Sequence, residues 1–279
     1  NSTHTFGLII ACVLFGLAAG AWLPAWTQRR GDALQRAGWM FLLAGAAISC
    51  STLLFLNQTG LSYFRGGDTF ANYMTASVGL VAVVVLPPAL LLGTVLPLLW
   101  DAACGCIVGS EGDRRSLAKV VGRLTAVNTL CAALGALVAS FVLLPYFGLW
   151  GSFMMLAICC VVGSLLLLAT RRSIACWATM IATGCLILAV WRVTTQQTAV
   201  PDSKVLISRA EGAYGWIDVL KDKRSGSLSL RENVNYTHGS TASAAWERRQ
   251  SHIPLLLHPN PKCVLYLGSG TGATAGGAV

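Results

Sequence analysis

The chain has 279 residues, of which 55% are hydrophobic and 11% are charged, and its formal net charge is +9. Soluble domains carry about 25% charged residues, and the apolar residues here form long uninterrupted runs, so the composition excludes a fully soluble protein and predicts an integral membrane protein. Much of the basic excess lies in short loops between these runs. Such flanks are typical of a lipid surface, so the charge predicts no nucleic-acid partner.

Residues 1–191 are predicted to form a transmembrane helical bundle. A bilayer core about 30 Å thick needs about 20 apolar residues at about 1.5 Å per residue, and helices satisfy the backbone polar groups in lipid. Because the first span follows Asn1 almost at once, we expect missing upstream sequence, including a further span. Six runs are long enough, approximately residues 6–26, 37–56, 73–100, 121–144, 149–170 and 174–191.

Charged loops predict the orientation of the bundle. The connections after the first, third and fifth spans are rich in Lys and Arg, whereas the alternate connections hold only Arg65. Basic short loops mark the cytoplasmic side, so six spans place the residues after 191 on the extracytoplasmic side. That side is unsuited to an enzyme whose cosubstrate is made and kept in the cytosol.

Polar and small residues within the spans indicate packing more than transport. Gly16-x-x-x-Gly20 and Gly135-x-x-x-Ala139 each place small residues one helical turn apart, which predicts close helix contacts. Asn128 is the most polar residue well inside a span, and the absence of a central ionisable residue disfavours a transporter built from this bundle alone. Most of the ten cysteines lie in apolar runs, so no metal site is predicted.

A soluble region follows residues 192–204, which are polar, turn-rich and predicted to be a linker. Residues 205–262 are predicted to form a β-hairpin and a helix. Apolar residues alternate in 214–220 and 227–231 around a polar turn, which indicates two paired strands. A helix is predicted over 240–257, capped by Ser240 or Thr241, with Glu247 on its outer face beside Arg248 and Arg249.

The last residues predict the beginning of an α/β domain. Residues 263–267 form a short apolar run suited to a parallel strand, and Gly268-x-Gly270-x-Gly272 follows it. Glycines allow the backbone to approach a ribose or phosphate, and a following helix would offer free N–H groups. The pattern is therefore interpreted as the first strand and glycine-rich loop of a truncated Rossmann-like domain over 263–279. A purely structural turn in an inactive copy of that fold is the alternative.

These segments together resemble the spermidine synthase family. The resemblance rests on Glu211-x-x-Tyr214 before the hairpin, on His252-Ile-Pro-Leu-Leu-Leu-His-Pro-Asn-Pro-Lys262, and on Val264-Leu-Tyr-Leu-Gly-Ser-Gly-Thr-Gly272. In the apolar half, Leu86-Pro-Pro-Ala-Leu-Leu-Leu-Gly-Thr-Val-Leu-Pro97 and Leu143-Leu-Pro-Tyr-Phe-Gly148 are similar to the membrane-fused spermidine synthase-like proteins of bacteria. The resemblance covers nearly the whole chain.

The resemblance implies a bacterial plasma (inner) membrane protein with a Rossmann-like domain of the methyltransferase type. It implies aminopropyl transfer from decarboxylated S-adenosylmethionine, or a related adenosyl compound, to a small-molecule polyamine. Gly268, Gly270 and Gly272 would line the nucleoside site, and Glu211 and Tyr214 would close over it. The expected partners are the lipid bilayer, the polyamine substrate and other membrane protein subunits.

The chain also departs from the family pattern. Gly215 stands where the family has Gln, Glu232-Asn-Val-Asn-Tyr236 replaces its Asp-Gly-x-x-Gln, and Trp246-Glu-Arg248 replaces its Tyr-His-Glu. The family's catalytic Asp would lie beyond Val279, so no catalytic residue is assigned. Two functions stay open: a membrane-anchored aminopropyltransferase, with polyamine export as an added role, or a catalytically inactive subunit or scaffold of a larger membrane complex.

Overall fold

The computed structural model describes residues 3–26, 32–60, 69–108, 114–168, 174–196, 200–212, 215–234 and 236–278. The chain divides into two compact units, the first within residues 1–197 and the second within residues 198–279. The first unit is helical, and the second contains a small antiparallel sheet. The predicted helical membrane region followed by a region with a β-hairpin is therefore observed.

The first unit consists of long helices with short connections. Its bounds are α1 Thr3–Trp26, α2 Ala33–Thr59, α3 Phe70–Val108, α4 Arg114–Val138, α5 Leu144–Leu168 and α6 Ile174–Gln196, and a π-helical segment, Ala139–Leu143, joins α4 to α5. Asp32 caps α2 by accepting a hydrogen bond from the Leu34 N–H at 3.2 Å. The helix α6 continues beyond residue 191, so the first part of the predicted linker is helical.

Within the described ranges, five continuous helical stretches are long and apolar enough to cross a membrane, which agrees with an integral membrane protein. The fourth, Ala118–Leu168, has 51 residues and includes both predicted spans of that region. At about 1.5 Å per residue it is more than twice as long as a bilayer core requires. Gly148, with φ 67° and ψ −176°, interrupts the helical backbone within it.

The helices α1 and α3 pack closely through glycines, which confirms the predicted contact at Gly16 and Gly20. A Cβ atom at Gly16 would lie 2.7 Å from the Ala89 Cβ, and one at Gly20 would overlap the Leu90 carbonyl oxygen. Gly93 makes the reciprocal contact, since its Cβ would lie 2.5 Å from the Leu17 carbonyl oxygen. Small residues let the two backbones approach in lipid, where dispersion and polar contacts hold helices together.

The predicted contact at Gly135 is wrong within the described residues. A Cβ added at Gly135 would meet no atom within 4 Å, and most of α4 is exposed. The core of the first unit instead lies between α2, α5 and α6. Its buried side chains are Ala44, Ile48, Met154, Ala157, Cys160, Ile187 and Val190.

The second unit is built on four antiparallel strands in the order β1 Lys204–Gly212, β2 Gly215–Asp222, β3 Leu228–Glu232 and β4 Tyr236–Ser240. The predicted hairpin is β2 and β3, and β1 and β4 extend it on either side. In the β3–β4 turn Asn233 has φ 46°, its N–H donates to the Trp216 carbonyl, and its Oδ1 accepts from the Trp216 N–H, both at 3.0 Å. These bonds join the turn to the start of β2.

One face of this sheet contains a buried ion triad. Asp218 is fully buried and lies directly opposite Arg209 in β1 and Arg231 in β3. The Asp218 carboxylate accepts from Arg209 Nε at 2.6 Å, from Arg209 Nη2 at 3.0 Å and from Arg231 Nη2 at 2.8 Å. Burial raises the pKa of Asp218, but the hydrogen bonds and charges of the two arginines outweigh it and hold the pKa below its usual value.

A helix, α7 Ala244–Leu257, follows the sheet. The segment after α7 packs back against this helix and includes a 3₁₀ turn, Ala275–Ala278. The predicted parallel strand over 263–267 is not formed, and Leu265 and Leu267 are 83% and 92% exposed. A parallel strand requires neighbouring strands for its hydrogen bonds, and no other described segment lies beside it as a strand. A Rossmann-like domain is therefore not observed.

Candidate functional site

The second unit contains a cleft of about 300 Å³ between the sheet, the start of α7 and the glycine-rich loop. This volume is at the lower end of the range for small-molecule sites, about 300–1,000 Å³. The floor of the cleft is apolar, and hydroxyl groups surround it. The lining residues are Val219, Leu228, Ser229, Leu230, Gly239, Ser240, Thr241, Ala244, Gly270, Thr271 and Ala273.

The apolar floor follows from the register of β2 and β3. Val219 lies opposite Leu230, and alternation along each strand directs both side chains to the face opposite Asp218. Val219 and Leu230 are half-buried, whereas Asp218 and Leu220 on the other face are buried. One face of the sheet therefore carries the buried ion triad, and the other face is apolar and forms the floor of the cleft.

Glu247 joins the three elements around the cleft. Its Oε1 atom accepts from the Ser240 N–H at 3.2 Å and from Ser243 Oγ at 2.5 Å, and its Oε2 atom accepts from Thr271 Oγ1 at 2.7 Å. The hydrogen bond from Ser243, followed by that from Thr271, lowers the pKa of the Glu247 carboxyl. The prediction that Glu247 lies on the outer face of the helix is therefore wrong, because its carboxylate bends back onto β4 and the loop.

The predicted cap of this helix is wrong. Ser240 Oγ accepts from the Ser243 N–H at 3.1 Å, but α7 itself begins at Ala244 with Ser243 before it. Gly239 has φ 157°, and a Cβ atom there would overlap the Glu247 carboxylate oxygens. Glycine at this position therefore leaves the space that the carboxylate occupies.

Polar contacts hold the C-terminal segment against α7. Ser251, which is 2% exposed, bonds to the Tyr266 hydroxyl and donates to the Thr274 carbonyl. Thr274 Oγ1 also donates to Gln250 Oε1 at 3.3 Å, and a Cβ at Gly277 would lie 2.8 Å from the Arg248 carbonyl oxygen. These contacts place the glycine-rich loop at the edge of the cleft without a strand before it.

The structure places the three predicted loop glycines differently. Gly268, Gly270 and Gly272 have φ of 88°, 49° and 77°, a left-handed backbone that favours glycine. Only Gly270 lines the cleft, and a Cβ at Gly268 or Gly272 would meet no atom within 4 Å. The loop leads into a short 3₁₀ turn, so the predicted α-helix after it is not formed within the described residues.

The two remaining candidates do not join this cleft. Glu211 is exposed in β1 opposite Trp216 and is not among the residues that line it. Tyr214 lies outside the described residues. A titratable pair that the sequence does not predict joins the strands β3 and β4, with His238 Nε2 2.8 Å from Glu232 Oε2.

A second depression, about 440 Å³, lies on α1 and is lined by Phe15, Ala18, Ala19, Trp22 and Leu23. Its walls are apolar and belong to a candidate membrane span, so it resembles a lipid-facing surface more than a site for chemistry. Over the described ranges of the chain, no group of three or more His, Cys, Asp or Glu side chains could hold a metal ion.

No protein-family model matches the chain, and neither a curated protein nor a solved structure shows significant similarity to it. The resemblance to the spermidine synthase family therefore stays a prediction from the sequence.

Proposed function

We propose that the chain is a membrane-anchored spermidine synthase-like protein that binds decarboxylated S-adenosylmethionine and takes part in aminopropyl transfer to a polyamine. In that transfer the polyamine nitrogen forms a C–N bond to the aminopropyl group as the C–S bond breaks, 5′-methylthioadenosine leaves, and the nitrogen loses a proton to solvent. The observation that carries the binding step is the cleft, in which Gly270 and Thr271 of the glycine-rich loop face an apolar floor and a rim of hydroxyls. An apolar surface suits an adenine ring, and hydroxyls and backbone groups suit a ribose. The reaction itself rests on the family resemblance.

Ligand binding by the whole chain in detergent tests this proposal. Isothermal titration with decarboxylated S-adenosylmethionine and with 5′-methylthioadenosine should show saturable binding of both compounds. Gly270→Ala, which puts a methyl group at the cleft wall, should weaken both by at least about tenfold, equivalent to about 1.4 kcal/mol. Gly226→Ala is the matched control, since Gly226 also has positive φ but lies in the β2–β3 turn. Wild-type protein that binds neither compound would contradict the proposal.

The second candidate, an inactive subunit or scaffold, is favoured by α4. Asn128 is exposed on this apolar helix, and its neighbours Leu130 and Leu134 are 64% and 59% exposed. An amide that faces lipid without a partner is unfavourable, and Asn side chains stabilise membrane helix pairs by bonding across them. A neighbouring helix from another subunit would cover this surface.

The oligomeric state in a mild detergent tests the scaffold. Asn128→Leu should shift an assembly of chains toward the monomer in light-scattering measurements. Thr125→Val is the control, because the Thr125 hydroxyl already donates to the Val121 carbonyl at 2.9 Å within α4. A wild-type chain that is monomeric at all concentrations would argue against assembly through copies of α4.

A further inference from the structure

Glu247 differs in its partners from two other carboxylates of the second unit, Asp218 and Glu232. Asp218 is bound by two arginines, and Glu232 is bound by His238. The three hydrogen-bond donors of Glu247 are instead neutral groups, the Ser240 N–H and the hydroxyls of Ser243 and Thr271. Neutral donors stabilise the ionised form but leave its negative charge uncompensated.

This carboxylate is not itself among the residues that line the cleft, but it bonds to two of them. Ser240 and Thr271, which donate to it, both line the cleft, as does Gly239, whose missing Cβ leaves room for its oxygens. Oε1 accepts from two groups close in sequence to α7, whereas among the described residues Oε2 accepts only from Thr271 in the loop. A donor that enters from the cleft therefore has a single hydrogen bond to replace on Oε2, the bond from Thr271.

We propose that Glu247 is the binding residue for a cationic amine in this cleft, with the amine replacing the Thr271 hydroxyl on Oε2. A protonated amine supplies both the donor and the positive charge that the present partners lack. Replacement of Thr271 would remove one of the contacts between the glycine-rich loop and α7, so that occupancy of the cleft and stability of the loop are coupled. The inference rests on the proposed function for the ligand class, an adenosyl compound that carries an aminopropyl group.

A comparison of two nucleosides distinguishes the contribution of the amine to binding from that of the rest of the ligand. Decarboxylated S-adenosylmethionine carries the primary amine, and 5′-methylthioadenosine lacks it. In titrations of the full chain, Glu247→Gln should weaken binding of the amine compound by about ten- to one-hundredfold, as expected for one charge-assisted hydrogen bond, and leave binding of 5′-methylthioadenosine unchanged. Thr271→Ala should have the opposite sign and tighten binding of the amine severalfold, because it removes the competing donor.

Hydrogen exchange gives a readout that a purely structural role would not move. Binding of the amine compound to wild-type protein should accelerate amide exchange in residues 268–278, and Glu247→Gln should abolish this response. Unchanged exchange in residues 204–240 of the variant would show that its sheet is folded. Equal weakening of both nucleosides by Glu247→Gln, or no weakening of either, would overturn the inference.

Putrescine separates failure of this inference from failure of the proposed function. If wild-type protein binds neither nucleoside, the proposed function is wrong, and putrescine then tests the amine site alone. Binding of putrescine that depends on Glu247 and accelerates exchange in residues 268–278 would support the site. Failure of putrescine and of decarboxylated S-adenosylmethionine to bind at all would overturn it.

Discussion

At the scale of single residues, the ion triad of Asp218, Arg209 and Arg231 buries one face of the small sheet, and the other face remains available to a ligand. The alternation of β2 and β3 in the sequence predicts a hairpin, but it does not show that Asp218 meets two arginines. That pairing depends on β1, which was not predicted as a strand, and on its register, in which Arg209 lies opposite Asp218. The prediction that Glu247 lies on the outer face of α7 is wrong for a similar reason, since its hydrogen-bond partners include residues of β4 and of the glycine-rich loop.

Asp218→Asn should destabilise the second unit by about 3–5 kcal/mol, because it removes the buried carboxylate charge that both guanidinium groups share. Hydrogen exchange of residues 204–240 in the full chain measures the loss. Asp222→Asn in the β2–β3 turn is the control, since Asn can still accept from the Arg224 and Ser225 N–H groups. Equal protection in Asp218→Asn and wild type would show that the triad contributes nothing.

The same triad predicts an acid limit for the sheet. The pKa of Asp218 is lowered in the fold, so its stabilisation is fully present above the unfolded carboxyl pKa of about 3.9 and is lost as pH falls through the lower folded value. Protection of residues 204–240 should thus be constant from about pH 7 to 5 and decline only below about pH 4. A decline already between pH 7 and 5 would contradict this assignment.

At the scale of elements, close approach between backbones was predictable where small residues repeat, as on α1. The same motif on α4 makes no contact within the described residues, because a small-residue pattern states what a helix face permits and not which helix meets it. The run 263–267 shows the converse. Its composition is that of a buried strand, yet a strand forms only beside other strands. The segment is instead held on α7 by the hydrogen bond between Ser251 and the Tyr266 hydroxyl.

Gly20→Val should separate α1 from α3 and cost about 1–3 kcal/mol, because the new side chain overlaps the Leu90 carbonyl and the packed helices cannot yield without strain. Thermal unfolding in detergent measures the change. Gly7→Val on the same helix is the control, since a Cβ there would meet no atom within 4 Å. If both variants unfold together, helix propensity and not packing explains the loss.

At the scale of the whole molecule, the number of membrane crossings determines what chemistry the second unit can reach. The basic loops predict six crossings and an extracytoplasmic unit, whereas aminopropyl transfer needs a cytosolic cosubstrate. The stretch Ala118–Leu168 determines whether the number of membrane crossings is even or odd. Two crossings by this stretch give an even total, and one crossing gives an odd total.

Labelling with a membrane-impermeant maleimide separates these cases. Cys263 is exposed, and so is Lys223 in the β2–β3 turn, where a cysteine can be introduced after the other cysteines are replaced. The basic loops predict labelling in intact cells, which would favour the scaffold function. The transferase proposal predicts labelling only after the membrane is opened, and that result would make the six-span prediction wrong.

The sequence alone determined the membrane class, most of the helix positions, the hairpin and the presence of a glycine-rich turn over residues 268–272, because these depend on apolar run length, alternation and local backbone freedom. Only the tertiary structure decided that Gly270 lines a cleft while Gly268 and Gly272 do not, that Asp218 is neutralised by two arginines, and that Glu247 bonds to the loop. Such contacts join residues up to 24 positions apart, as in Thr271 with Glu247. Local patterns hold no information on which distant donor or charge will be brought beside a carboxylate.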